Sequence, residues 1–163
     1  MTRDRATAEE LFRVAFDRLV RELTTVTGSR AEAEDAVADA FVQAVKHWGR
    51  VSSLDDPVAW VRKVAYNRAH TRWRRQQVLR RLLPGLVRPP HVDVLPGSDA
   101  ELQQALLVLP ARQREVIVLH HLSGLSVEDV AATLGVSVGT VKSSLSRGRA
   151  RLLDVLRAQE AVS

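Results

Sequence analysis

The side chains best placed for chemistry in this sequence are cations in a run. Residues 57–92 hold nine arginines and lysines and no aspartate or glutamate. A segment of that length without a carboxylate sets up a field of one sign, and a phosphate backbone is the commonest partner of such a field. A solvated basic surface or a helix lying on a membrane has the same composition, so charge alone leaves those readings open. Residues 1–56 are net acidic, with 11 carboxylates against 8 cations, and residues 93–163 are nearly balanced, with 8 against 7. The formal charge of +5 is therefore concentrated in one stretch. A second grouping combines Val138, Gly139, Thr140, Lys142, Ser143, Ser146, Arg147, Arg149 and Arg151. Hydroxyls and cations early on one helix can reach base edges and phosphates.

Catalytic arrangements are missing from the pattern. The adjacent His120 and His121 point about 100° apart on a helix and do not share a metal easily. Asp55-Asp56 reads as a loop ahead of Pro57 rather than a carboxylate pair. No nucleophile elbow and no phosphate-cradling glycine loop occurs, and cysteine is absent. Neither an enzyme nor a cofactor or metal site is expected. No apolar run approaches the roughly 18 residues of a membrane span. Residues 1–10 carry both charge signs and no apolar core, unlike a secretory signal. The expectation is a cytoplasmic protein with no membrane insertion.

Helices must position these groups, since Ala, Val, Leu and Arg dominate and aromatics make up only 4%. Phe12, Phe16, Leu19 and Leu23 form one helical stripe, closed by Gly28 and Ser29. From Ala31 to Trp48, the pairs Ala36/Val37, Ala40/Phe41 and Ala44/Val45 define a broad apolar face. Glu34, Asp35, Ala38, Asp39 and Gln43 are turned elsewhere. After a loop, Gly49–Asp56, Pro57 opens a third helix. It is predicted to bury Val61, Val64 and Ala65 with part of Trp60, and Trp48 and Trp73 are read as core as well. Its other face shows Arg62, Lys63, Tyr66, Asn67, His70, Arg74 and Arg75. Pro84, Pro89, Pro90 and Pro96, with Gly85 and Gly97, then break every periodic pattern.

Past Asp99 the strongest local signal runs from Ser126 to Lys142. Ser126 can cap a short helix with Asp129 three residues on. Val130, Leu134, Val136 and Val141 form an apolar seam, and Ala131 is small where two helices cross. Gly135 permits the positive φ of a tight turn, and Ser137 caps the next helix. This is a helix-turn-helix pattern whose second helix reads a DNA groove. The helix from Pro110 to the Gly124 turn supplies its platform. The predicted fold is all-α: an N-terminal bundle of three to four helices in residues 1–80, a flexible linker over 81–98, and a helix-turn-helix domain in 99–163.

Three stretches together resemble sigma-70 family factors. They are Ala33-Glu34-Asp35-Ala36-Val37 with Phe41-Val42-Gln43-Ala44, then Ala59 to Asn67, then Leu109-Pro110 with the Val127–Lys142 motif. The two-domain length resembles the extracytoplasmic-function (ECF) subgroup, and the likeness covers about residues 8–76 and 99–157. It implies a promoter-specificity subunit without catalytic activity. Asp35, Ala38, Asp39 and Gln43 would grip the clamp helices of core RNA polymerase, and the C-terminal domain would contact its flap. Arg62, Lys63, Tyr66, Asn67, His70 and Arg74 would engage the −10 element and its melted strand, where stacking faces and cations are needed. Val138, Thr140, Lys142, Ser143, Ser146, Arg147 and Arg149 would read the −35 element. The linker would thread towards the RNA exit path, and an anti-sigma protein would mask the polymerase-binding surfaces. Thr71 stands where family members often carry an acidic residue. The alternative is a free-standing helix-turn-helix regulator, for which no dimerisation heptad is visible and which leaves the acidic helix unused.

Overall fold

Four helices from residues 2 to 82 pack as one bundle, and the remaining helices form a second layer against it. The computed structural model describes residues 2–86 and 92–163, with side chains from residue 7 onward. Helix α1 (Thr2–Thr27) buries Ala15, Leu19 and Leu23 in the core. Phe12 departs from the expected stripe: it is half-exposed at the end of the bundle, stacked on Phe16 and edge-on to Phe41 at centroid distances of 4.5 and 5.1 Å. Gly28, at φ 76°, ends the helix, and the Ser29 hydroxyl accepts the Glu32 N–H to start α2 (Arg30–Lys46). Alanines dominate the buried face of α2, which lets it lie close to both α1 and α4. Val45, expected inside, faces solvent on the last turn, and Trp48 is buried at that end of the core instead.

After a single turn, α3 (Trp48–Val51), the Asp56 carboxylate accepts the Ala59 N–H and Pro57 opens α4 (Pro57–Leu82). At 26 residues α4 is about 39 Å long. Val61 and Ala65 are buried as expected, with Val64 and Trp60 packed partly against the core. Trp73 is a correction: it is 48% exposed. It lies one position past Arg72, whose arc faces Asp35 of α2, so its ring is rotated away from the bundle.

The second layer begins at Asp99, whose carboxylate caps α5 (Ala100–Val108) through the Leu102 N–H. Helix α6 (Ala111–Ile117) follows Pro110 and widens into a π turn over Val118–Leu122. Helices α7 (Val127–Leu134) and α8 (Val138–Val162) complete it. Apolar residues of both layers join in one buried cluster. Among the described residues, no helix is long and apolar enough to cross a membrane.

Between the layers, Pro89 and Pro90 lie outside the described residues. The following residues, 92–98, are tied down rather than free of the fold. The Asp93 N–H donates to the Gly28 carbonyl at 2.9 Å, and its carboxylate accepts the Arg30 N–H at 2.8 Å. Gln103 donates to the Asp93 carbonyl and accepts from the Leu95 N–H, and Leu95 is buried. A segment so rich in helix breakers still finds partners for its backbone, as buried polar groups must.

Candidate nucleic-acid interface

The helix-turn-helix is set by local chemistry. The Ser126 hydroxyl accepts the Asp129 N–H at 3.1 Å, and the Ser137 hydroxyl accepts the Thr140 N–H at 3.1 Å. Gly135 between them is left-handed, φ 67° and ψ 36°, a conformation that strains any residue with a Cβ. Val130 and Val141 are fully buried in the seam, with Leu134 and Leu145 beside them. Further along α8, Gly148 allows a close crossing with α6. A Cβ there would lie 2.8 Å from Ile117 Cδ1 and 3.3 Å from Gln113 Cβ.

This packing leaves Thr140, Lys142, Ser143, Ser146, Arg147 and Arg149 exposed on α8. Lys142, Arg147 and Arg149 form no ion pair among the described residues. Their charges therefore remain available to an external polyanion. Val138, at the start of the helix, is half-buried against the core, unlike the exposed residues that follow it. Beside this face, partial burial, the Arg149 guanidinium and the His120 ring push the His121 imidazole pKa down.

The expected −10 face of α4 divides in two. Lys63, Asn67 and Arg74 are exposed. Arg62, Tyr66 and His70 lie one turn apart along an adjacent stripe, and there the sequence reading needs correction. Arg62 is 7% exposed and Tyr66 1%, because α7, α6 and the π turn close over the bundle on that side. Arg62 Nε donates to Glu22 Oε2 of α1 at 3.1 Å, and Glu22 also accepts the Ser123 hydroxyl from the second layer. His70 is half-buried and pairs through Nε2 with Glu115 of α6, which Arg112 also contacts at 3.3 Å. Between the two carboxylates, the Tyr66 hydroxyl is buried with no hydrogen-bond partner among the described residues. Burial first, then the nearby Glu22 and Glu115, raise its pKa well above the ordinary phenol value, with Arg62 opposing.

Arg114 adds a further tie across the layers, donating to the Val26 carbonyl at 2.6 Å and to the Leu109 carbonyl at 3.1 Å. Burial lowers its pKa and Glu115 counters that. Sequence reasoning missed Glu22, Arg114, Glu115 and Ser123, whose significance depends on partners far along the chain. On α2, Asp35, Ala38 and Asp39 are exposed and Gln43 is half-buried. Asp35 is paired with Arg72 at 3.0 Å across to α4, so its charge is partly neutralised. The same face also carries Val42 and Val45, each about half-exposed, which the sequence reading left out. Their offsets from Asp35 and Ala38, at helical spacing, were the signal that could have found them.

Comparison with known proteins gives concordant likenesses for both layers. The model for sigma-70 region 2 matches residues 11–78, and that for sigma-70 region 4 matches residues 99–152. RNA polymerase sigma-E factor of Streptomyces avermitilis is 32% identical over 155 residues, 93% of this chain and 86% of that protein. ECF RNA polymerase sigma factor SigM of Mycobacterium tuberculosis is 32% identical over 163 residues, covering 94% and 79%. Among solved structures, the sigma factor RpoE of Bartonella quintana, bound to the anti-sigma factor NepR, superposes with a TM-score of 0.72. It is 27% identical, over 91% of this chain and 96% of that one. CnrH, solved with the cytosolic domain of CnrY, has a TM-score of 0.66 at 26% identity, over 94% and 90%.

Proposed function

From the premise that the chain belongs to the sigma-70 family of RNA polymerase sigma factors, in its extracytoplasmic-function group, we propose that it recruits core RNA polymerase to promoters in the cytoplasm, without chemistry of its own. One observation carries the reading. A single chain combines an exposed α8 face, whose cations Lys142, Arg147 and Arg149 form no ion pair among the described residues, with an exposed face of acids and valines on α2. A DNA regulator needs the first face, whereas a polymerase subunit uses both. Joining two weak sites raises effective concentration and makes the spacing between promoter elements part of the specificity.

In this reading Thr140, Lys142, Ser143, Ser146, Arg147 and Arg149 serve the −35 element, and Asp35, Ala38, Asp39 and Gln43 serve the polymerase clamp helices. For the −10 element, Lys63, Asn67 and Arg74 are accessible, while Tyr66 and His70 require the second layer to move off α4. The closed arrangement is then a resting form, and engagement with polymerase and promoter separates the domains. An anti-sigma partner is proposed for this chain by likeness to the sigma factor RpoE, which was solved with the anti-sigma factor NepR.

The test is transcription with purified chain and core polymerase. Promoter-specific transcripts are expected, and none should form when Lys142→Glu and Arg147→Glu are combined in a folded variant. Footprints at palindromic sites without polymerase, together with no transcripts across a genomic promoter library, would replace this reading with that of a free-standing regulator.

A further inference from the structure

We propose that the cleft between the two layers binds a small polyphosphorylated anion, such as a nucleoside polyphosphate, and that this ligand holds the domains closed. The cleft measures about 490 Å³ and takes its lining from both layers and the segment between them: Arg18, Arg21 and Glu22 of α1, Arg62 of α4, Ser98 before α5, and Ser123 after the π turn. Three guanidiniums thus face one carboxylate. That carboxylate is already engaged on both oxygens, by Arg62 Nε and by the Ser123 hydroxyl. The guanidiniums are far less occupied. The Arg62 side chain is 9% exposed; its two terminal nitrogens have no hydrogen-bond partner among the described residues and remain open to solvent. Arg21 spends one nitrogen on the Pro96 carbonyl, and Arg18 makes no hydrogen bond among the described residues.

Chemistry and size together narrow the ligand. A guanidinium whose terminal donors open onto a cleft can donate them to an incoming anion. Its planar fork matches phosphate oxygens in pairs. The surplus of positive charge calls for two or more negative charges within a small volume, which a single carboxylate does not supply. The volume is that of a small-molecule site; it is far too small for a duplex. Both layers and the connecting segment touch the cleft, so a ligand there favours the closed arrangement by linkage. Binding of this kind depends on that arrangement and not on the promoter-directing reading.

The full chain is tested with inorganic triphosphate as probe, by thermal melting and small-angle scattering. Sulfate at matched ionic strength and a short single-stranded oligonucleotide serve as comparators. At a hundred times Kd, triphosphate is expected to raise Tm by roughly 5–10 °C and to narrow the distribution of radii. Arg18 and Arg21 are exposed and lie outside every surface assigned above. Combining Arg18→Ala with Arg21→Ala is expected to weaken probe binding at least tenfold while leaving probe-free transcription unchanged. Arg18→Glu alone is a second, sign-reversing variant with the same expected loss. A shift equal to that of sulfate, or one that survives in both variants, overturns the proposal. A shift with the oligonucleotide and none with triphosphate also overturns it, by making nucleic acid the source of the phosphates. Failure of the unmodified chain to support transcription would remove the promoter reading and leave the probe-induced shift intact.

Discussion

Tyr66→Phe tests the closed arrangement with the change of one atom. The Tyr66 ring is 1% exposed and its hydroxyl is buried without a partner. Burying a hydroxyl in that condition costs about 1–3 kcal/mol in protein mutational data. When the second layer leaves α4 the hydroxyl meets water and the cost vanishes, so it acts on the closed state alone. Removing the oxygen keeps the packing of the ring but leaves a gap of one atom, which offsets part of the gain. A net stabilisation of about 1 kcal/mol is expected, equivalent to about a fivefold shift towards the closed form. For a chain of this size that raises Tm by roughly 2–4 °C. The same shift slows assembly with core polymerase about fivefold, if only the open form is competent. Melting curves and stopped-flow assembly kinetics measure the two effects independently. An unchanged or lower Tm in Tyr66→Phe would refute the reasoning, because it would mean that the hydroxyl is satisfied where it lies.

Further outcomes follow from the same seam and from the caps. Since burial and two carboxylates raise the Tyr66 pKa, the closed form binds the phenolic proton more tightly than an unfolded or opened chain. The Tyr66 contribution is therefore constant below pH ~10 and is lost as pH climbs above that value; Tyr66→Phe should flatten this alkaline loss in pH-dependent melts. Glu22→Gln leaves the Arg62 charge without a counter-ion at a site where the two side chains are 9% and 4% exposed. A loss of about 3–5 kcal/mol is expected, read as a lower denaturation midpoint. Ser137→Ala removes the cap that holds Thr140, costing about 1 kcal/mol. It should also weaken binding to −35 DNA by fraying the turn that carries Thr140 and Lys142, as fluorescence anisotropy would report. Gly148→Val drives branched methyls into Ile117 and Gln113 and should destabilise by about 1–3 kcal/mol. Gly148→Ala meets mainly the movable end of Ile117 and should be much milder.

The features legible in the sequence are those decided within a few residues. Ser126, Ser137, Asp56 and Asp99 each accept from an N–H three positions on, and Gly135 answers to its own φ. Such codes need no knowledge of the rest of the chain. The exposed face of α8 follows from them once the seam is known. The stripe of Arg62, Tyr66 and His70 was also legible as a stripe, but its environment was not. Helical periodicity shows which residues share a side, and a polar side looks the same whether it meets water or another polar surface. The deciding partners lie 45 and 101 residues apart, for His70 with Glu115 and for Glu22 with Ser123. No local pattern carries that information. Trp73 fails for the opposite reason, since its hydrophobicity argued for burial on a length of α4 where no layer covers that arc.

The two kinds of partner on α4 also separate what opening can release from what it cannot. His70 is held by Glu115, which belongs to the second layer, so domain separation frees it, and Tyr66 is uncovered by the same motion. Arg62 is held by Glu22, which lies on α1 in its own bundle. That pair survives separation, and Glu22 gives up only the Ser123 hydroxyl. Glu22 fixes the Arg62 guanidinium against α1 on the buried side of α4, away from its exposed face. Arg62 therefore differs from Lys63 and Arg74, which are exposed and unpaired among the described residues. It holds the start of α4 on α1, and under the proposed function the charge offered to a promoter strand comes from its neighbours. Charge-reversal at Lys63 or Arg74 should then weaken promoter opening without lowering Tm. The same change at Arg62 should lower Tm first, whether or not DNA is present.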